Sequence, residues 1–123
     1  MKYFLKPLLW SLVFLFLGAS SCRMANNKVE APIEAYETLD YIIKYNKAPD
    51  GYVGGRKFGN FEELLPKKTE QGKKIFYKEW DIYPKKKGIN RGPHRLVTGN
   101  NRTAFYTPDH YQSFIEIFPK ENK

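Results

Sequence analysis

The sequence has only two histidines, and His110 stands in TPDHYQSF (107–114), between an acidic residue and an aromatic, just ahead of a run that alternates like a β-strand. Upstream, KIFYKEWDIY (74–83) puts Glu79 and Asp81 on one side of a period-two pattern with Tyr77 and Tyr83, and Phe76, Trp80 and Ile82 on the other. The segment PKKKGINRGPHR (84–95) adds Arg91 and Arg95, four residues apart, just before an apolar run that starts near Leu96. Taken singly, these residues have bland readings: two carboxylates on the solvated face of a half-exposed sheet, and two arginines as surface charge. Taken together they supply a carboxylate, an imidazole and paired guanidiniums on neighbouring strands and strand ends. That set is a base, an acid and a clamp for an anion.

Such residues need a sheet to position them, and the second half of the chain reads as β. After 74–83 come HRLVTG, TAFYT and YQSFIEIF, separated by the turn signals GNN and TPD. Before them, from Pro32, IEAYETLDYIIKYNK places Ile33, Tyr36, Leu39 or Asp40, and Ile43 at helical spacing, which predicts one amphipathic helix of about four turns. Ala48, Pro49, Asp50 and Gly51 end it, and GYVGGRKFGN followed by FEELLPKKTEQGKK reads as a structured loop around short elements. One helix followed by several antiparallel strands predicts an α+β domain, with the N-terminal helix packed on a twisted antiparallel sheet. The sequence has no internal repeat, phosphate-binding loop, dinucleotide fingerprint or metal-ligand cluster, so no cofactor and no metal is expected.

The first 22 residues stand apart from the domain. Lys2 and Lys6, an apolar run from Leu8 to Leu17 and small residues at 18–21 have the layout of a secretory signal peptide. A spanning helix is the competing reading, but it needs about 20 consecutive apolar residues, and Ser11 and Gly18 crowd that limit. Cys22 is the sole cysteine, so no intramolecular disulfide can form. Its place after Ala19, Ser20 and Ser21 resembles a bacterial lipobox, in which the cysteine is acylated and becomes the mature N-terminus; ordinary cleavage before Cys22 fits the same residues. The expected division is a signal peptide at 1–21, a lipidated cysteine and polar tether at 22–30, and one domain at 31–123. The expected location is exported: periplasmic or cell-surface and anchored to a membrane through Cys22, or extracellular. Formal net charge is +8, and +6 once Lys2 and Lys6 leave with the leader. An excess of that size on a small domain suits a polyanion, either nucleic acid or an anionic membrane surface, although a lysine-rich surface also serves solubility alone.

From residue 48 to 117 the chain resembles the guanyl-specific microbial ribonucleases, the family of barnase. The matching pieces, in order, are FGNFE (58–62), Leu65 with Pro66, YKEWDI (77–82), RGPHRLVTG (91–99) and YTPDHYQSF (106–114). Each is weak alone; their order and spacing together are specific. The resemblance implies the microbial ribonuclease fold for a ribonuclease domain over 31–123, and a monomer that cleaves single-stranded RNA 3′ of guanosine through a 2′,3′-cyclic phosphate, without a metal. Glu79 matches the family's general base, His110 its general acid, and Asp81 the buried partner that orients Arg91 and Arg95, which hold the charge of the transition state. In FGNFE, Glu62 would be the guanine-reading carboxylate and Asn60 the residue that holds the loop, with Phe58 and Tyr111 as stacking surfaces.

The chain departs from the family at several positions. Phe61 stands where arginine is usual, Gly59 replaces a larger polar residue, and Glu63 beside Glu62 would inherit the base-reading role if the register moved by one. The phosphate-side lysine of barnase has no aligned partner; Arg56 or Lys57 could replace it or be plain surface charge. His94 reads as a solvated loop residue, and Lys85, Lys86 and Lys87 as a non-specific attraction for RNA. An acidic inhibitor protein is a partner by analogy only. The rival reading is a catalytically inactive RNA-binding or surface module on the same fold, against which the intact Glu79, Arg91, Arg95 and His110 argue.

Overall fold

The computed structural model describes residues 29–119; the signal segment, Cys22 and most of the tether lie outside the described residues. Helix α1 (Ile33–Tyr45) begins at Pro32, whose extended backbone lends its carbonyl to the Ala35 N–H at 3.0 Å in place of a side-chain cap. Glu34 in the first turn and Lys44 in the last complement the helix dipole. Asn46 closes the helix in the left-handed conformation, φ 54°, with its N–H on the Ile42 carbonyl at 2.7 Å.

The buried stripe of α1 is Ala35, Thr38, Leu39 and Ile42, whereas Ile33 and Ile43 are 47% and 59% exposed. Of the expected stripe through Ile33, Tyr36, Leu39 or Asp40, and Ile43, Leu39 is buried and Tyr36 packs against the core, while Ile33 and Ile43 face out, so the stripe is rotated toward Ala35 and Thr38. A pattern of large apolar residues misses the cause: Ala35 and Thr38 are small, and the helix seats itself on the sheet along the side where its backbone can come closest.

Five strands, β1 (Gly54–Phe58), β2 (Tyr77–Asp81), β3 (Arg95–Gly99), β4 (Ala104–Thr107) and β5 (Ile115–Ile117), form one antiparallel sheet in sequence order. Pairing of Trp80 with Leu96, Leu96 with Tyr106 and Tyr106 with Ile115 lays one apolar row across the face that meets the helix. With Ile82, Ala104, Ile117 and the buried side of α1 it forms the main core. Each such fully buried aliphatic or aromatic side chain stabilises the fold by about 1.5–3 kcal/mol. Gly54 is required where β1 crosses Trp80, because a Cβ there would lie 2.8 Å from the indole and 3.1 Å from the Trp80 Cα. The register then shifts between Gly54 and Arg56, with Gly55 at φ 86°.

The opposite face is not the open, solvated side of a half-exposed sheet. Phe58 pairs with Tyr77, Val97 with Phe105, and Leu65 and Ile75 join Tyr77, Val97 and Phe105 in a second apolar cluster, against which Phe58, Tyr111 and Phe114 pack. The loop between β1 and β2 supplies the cover, tied down by the Tyr77 hydroxyl donating to the Pro66 carbonyl at 2.6 Å. This second cluster fills the end of the face near Tyr77 and leaves the end near Glu79 and Asp81 for polar residues.

Candidate active site

Antiparallel register brings the polar end together. Asp81 pairs with Arg95, and Arg95 with Thr107, so these three side chains share one row of the sheet face; Arg56, Glu79 and Val97 form the next row. Asp81 is buried; it accepts two hydrogen bonds from Arg91, Nε at 2.7 Å and Nη2 at 2.5 Å, and forms an ion pair with Arg95, whose Nε lies 3.1 Å from Oδ1. The bond to Asp81 is the largest of the influences that raise the Arg91 pKa above its ordinary value, outweighing burial. Arg95 is itself buried and spends Nη1 on the carbonyls of Gly92 and His94, at 2.8 and 2.7 Å. The loop that carries Arg91 is thereby folded over Arg95. Two guanidiniums held rigidly on one carboxylate are pre-organised to receive an anion.

Glu79 is half-buried beside them, and the Tyr111 hydroxyl donates to its Oε2 at 2.7 Å. Burial first, and then the bond to Glu79, push the Tyr111 hydroxyl far above its ordinary range, with Arg95 pulling the other way. Tyr111 therefore stays a protonated donor between the carboxylate and the guanidiniums. Across from Glu79 on β1 stands Arg56, whereas Lys57 pairs with Lys78 on the opposite face. Of the two residues left open by sequence, only Arg56 is on the face of the site.

His110 is presented by a strained turn. His110 and Tyr111 both have positive φ, 53° and 73°, a conformation that costs about 1–2 kcal/mol per residue for non-glycine side chains. Hydrogen bonds over-determine it. Thr107 Oγ1 accepts the Tyr111 N–H at 2.9 Å, Asp109 accepts from Thr107 Oγ1, the Ser113 N–H and the Ser113 hydroxyl at 2.9, 2.8 and 2.5 Å, and the His110 N–H reaches the Pro93 carbonyl at 3.0 Å. The last bond ties the histidine turn to the arginine loop. The imidazole itself is exposed and lies 4.8 Å, centroid to centroid, from the Tyr111 ring.

A recess of about 240 Å³ adjoins this turn, lined by Phe58, Asn60, Phe61, Glu62, Leu64, His110, Tyr111 and Phe114. Asn60 clamps its loop in both directions, Nδ2 donating to the Leu65 carbonyl at 2.8 Å and Oδ1 accepting the Leu65 N–H at 3.1 Å, which fixes Asn60 itself at φ 50°. Phe58 and Tyr111 stack on each other at 4.8 Å and 28°, too close to admit a third ring between them. They give the recess a continuous aromatic wall. Glu62 faces this recess, while Glu63 lines the cleft on the other side of the loop and pairs with Lys67. Phe61 is 94% exposed, its ring lying where a Cβ on Gly59 would be, so the small residue and the aromatic that follows it are matched.

Two features had no clear sequence signal. The Tyr111 hydroxyl meets a carboxylate 32 residues away, a contact that only the sheet register creates. His94 is not a solvated loop residue: it is half-buried, stacked on Tyr106 at 6.0 Å and 11°, with Nδ1 2.8 Å from the Tyr106 hydroxyl and its ring edge-on to Tyr83. Its position immediately before β3, next to the buried Arg95, accounts for this.

The turn makes a test of its own. The Ser113 hydroxyl above all, then the Ser113 N–H and Thr107, hold the Asp109 carboxyl below its ordinary pKa. A depressed folded-state pKa means a stabilising contribution that is full above the ordinary value of about 4 and is lost as pH falls through the folded value. Asp109→Asn should accordingly lower Tm at neutral pH, and the gap to the parent protein should close below about pH 4. Thermal melts of both proteins across that range check it; a gap that widens in acid would remove Asp109 as the lock.

The sequence pattern of the ribonuclease family matches residues 18–117. The guanyl-specific ribonuclease St of Saccharopolyspora erythraea is 36% identical over 97 residues, covering 79% of this chain and 86% of that protein. Ribonuclease Sa2 with guanosine-2′-cyclophosphate superposes with a TM-score of 0.54 at 35% identity, over 74% of this chain and 90% of the other. Ribonuclease Sa2 in its complexes with mononucleotides gives 0.52 at 37% identity, over 72% and 86%. Sequence and backbone lead to one conclusion: the chain belongs to the ribonuclease family.

Proposed function

We propose that this chain is an exported endoribonuclease that cleaves single-stranded RNA on the 3′ side of guanosine, by metal-independent transphosphorylation through a 2′,3′-cyclic phosphate. The observation that carries the reading is the shared sheet face of Glu79, held by Tyr111, and the Asp81-bound guanidiniums, beside a recess lined by both His110 and Glu62. Family membership makes the chain an RNA-cleaving endoribonuclease, and relatives described as guanyl-specific or bound to guanosine cyclophosphate support the base preference.

The chemistry follows from the groups present. Glu79 takes the proton of the ribose 2′-hydroxyl, whose oxygen attacks the adjacent phosphorus; His110 gives a proton to the departing 5′-oxygen. A cyclic phosphate forms, and water opens it with the two roles exchanged. Arg91 and Arg95 hold the negative charge that gathers on the phosphorane oxygens. Glu62 accepts from guanine N1–H and N2–H₂, where adenine would offer a lone pair. With Phe61 in place of a cation, base discrimination rests mainly on that carboxylate.

RNA should be cut and DNA spared, since DNA lacks the nucleophile, and chelators should leave the rate unchanged. His110→Ala should lower kcat/KM on GpN dinucleotides by at least ~100-fold. Full activity in that variant, or loss of activity with EDTA in the parent, would mean a different chemistry. Glu62→Ala should lower kcat/KM far more on GpN than on ApN, and Glu63→Ala should leave the ratio alone. Equal losses on both substrates, or a ratio that moves only with Glu63, would exchange the two roles or end the guanine reading.

Export and anchoring rest on the sequence around Cys22. Acylation of that cysteine anchors the domain at a membrane, and Cys22→Ser should move the protein to the soluble fraction. An unmodified thiol, or an intact Met1 end, in the mass of the membrane-extracted protein would refute it.

A further inference from the structure

On the far side of the 58–65 loop lies a second cleft, of about 400 Å³, among whose lining residues are Lys57, Lys67, Lys68, Lys74, Phe61 and Phe76. Phe58, Asn60 and Phe61 line both this cleft and the recess of Glu62, so the loop is a partition between two adjoining sites. The lysines are not scattered. A tight turn, closed by Thr69 N–H to Lys73 carbonyl at 2.8 Å and Ile75 N–H to Lys67 carbonyl at 2.9 Å, makes Lys68 and Lys74 direct cross-strand partners. Like charges directly opposite one another destabilise a pairing unless an anion accompanies them. Among the described residues that line the cleft, the carboxylate present is Glu63, and it is already paired with Lys67. Two aromatic rings are offered alongside: Phe61 at 94% and Phe76 at 54% exposure, the latter with the Lys74 ammonium 5.2 Å from its centroid.

Cations that track a phosphate backbone, interleaved with exposed rings on which bases stack, are what single-stranded nucleic acid requires. We propose that this cleft is a subsite for the RNA segment 5′ of the guanosine, its lysines taking the phosphates and an exposed phenylalanine stacking the preceding base. The inference rests on the ribonuclease reading above. Its polarity follows from the site: the phosphate on the 3′ side is committed to Arg91, Arg95 and His110, and the base to Glu62. The strand that continues from the guanosine's own 5′-oxygen, on the side away from the scissile phosphate, is then the one free to cross Phe61 into the lysine cleft.

The test compares GpC, ApApGpC and GpCpApA as substrates of the parent protein and of Lys68→Ala/Lys74→Ala. The parent should favour ApApGpC over GpC by about 10-fold in kcat/KM at low salt, and the double variant should lose that gain while keeping its rate on GpC and GpCpApA. Binding of ApApGpC carrying 2′-deoxyguanosine, which cannot be cleaved, should weaken in parallel, with a slope of log Kd against log salt shallower by about 1.4. No gain from 5′ extension in the parent, equal loss on all three substrates, or a loss confined to GpCpApA would overturn the subsite. If the parent cuts none of the three, the ribonuclease reading fails on its own, and the deoxyguanosine binding decides the cleft: unchanged affinity in the variant overturns it, weakened affinity sustains it.

Discussion

One buried carboxylate, Asp81 at the end of β2, accepts two hydrogen bonds from Arg91 and forms an ion pair with Arg95, and the polar half of the sheet face is arranged around it. Burying a lone carboxylate costs several kcal/mol, and breaking such a cluster by removing one member costs about 3–5 kcal/mol, because the partners left behind keep their charge without their solvent. Asp81 therefore fixes more than two side chains. Through Arg95 it fixes the carbonyls of Gly92 and His94; through that loop it fixes the Pro93 carbonyl, which holds the His110 N–H. His110, the paired arginines and Asp81 form one connected assembly rather than residues that happen to lie nearby.

The histidine turn shows how such an assembly tolerates strain. Two consecutive left-handed residues would relax if the turn were free, and five short hydrogen bonds through Thr107, Asp109 and Pro93 deny them the chance. The conformation places two rings side by side with different tasks. Tyr111 turns inward to Glu79 and the second apolar cluster, and His110 is left exposed at the rim of the recess. In the proposed reaction, an acid that protonates a group departing toward solvent belongs at such a rim.

Much of this was legible in the sequence, for a geometrical reason. Strand alternation leaves no choice but to put Tyr77, Glu79 and Asp81 on one face, and antiparallel pairing of the next strand brings Arg95 to Asp81. The family's motifs then gave the remaining residues their expected positions, and the α+β fold with its N-terminal helix is the one observed. What was not legible depended on contacts distant in sequence or on small residues. The phase of α1 is set by Ala35 and Thr38, which weigh little in a hydrophobic pattern. The covering of the second face is done by loops, whose path no periodicity announces, and the burial of His94 against Tyr106 exists only once β3 and β4 are paired. The same register separates Arg56 from Lys57, two adjacent cations that the sequence could not tell apart.

The charges of the assembled site also fit the proposed reaction in time. Before reaction, the carboxylates of Glu79 and Asp81 offset much of the charge of Arg91 and Arg95 in this half-buried place, with Arg56 across from Glu79 on β1. In the proposed reaction Glu79 becomes neutral when it accepts the 2′-hydroxyl proton, and Asp81 alone then faces the two guanidiniums. The site gains one unit of positive character at the step in which the phosphorane gains one unit of negative. Tyr111 does not disturb the balance, because burial and its bond to Glu79 keep its hydroxyl protonated. In the proposed reaction the guanidiniums thus stay fixed on Asp81 while neutralisation of Glu79 strengthens the positive field they present, so that stabilisation is greater for the transition state than for the ground state.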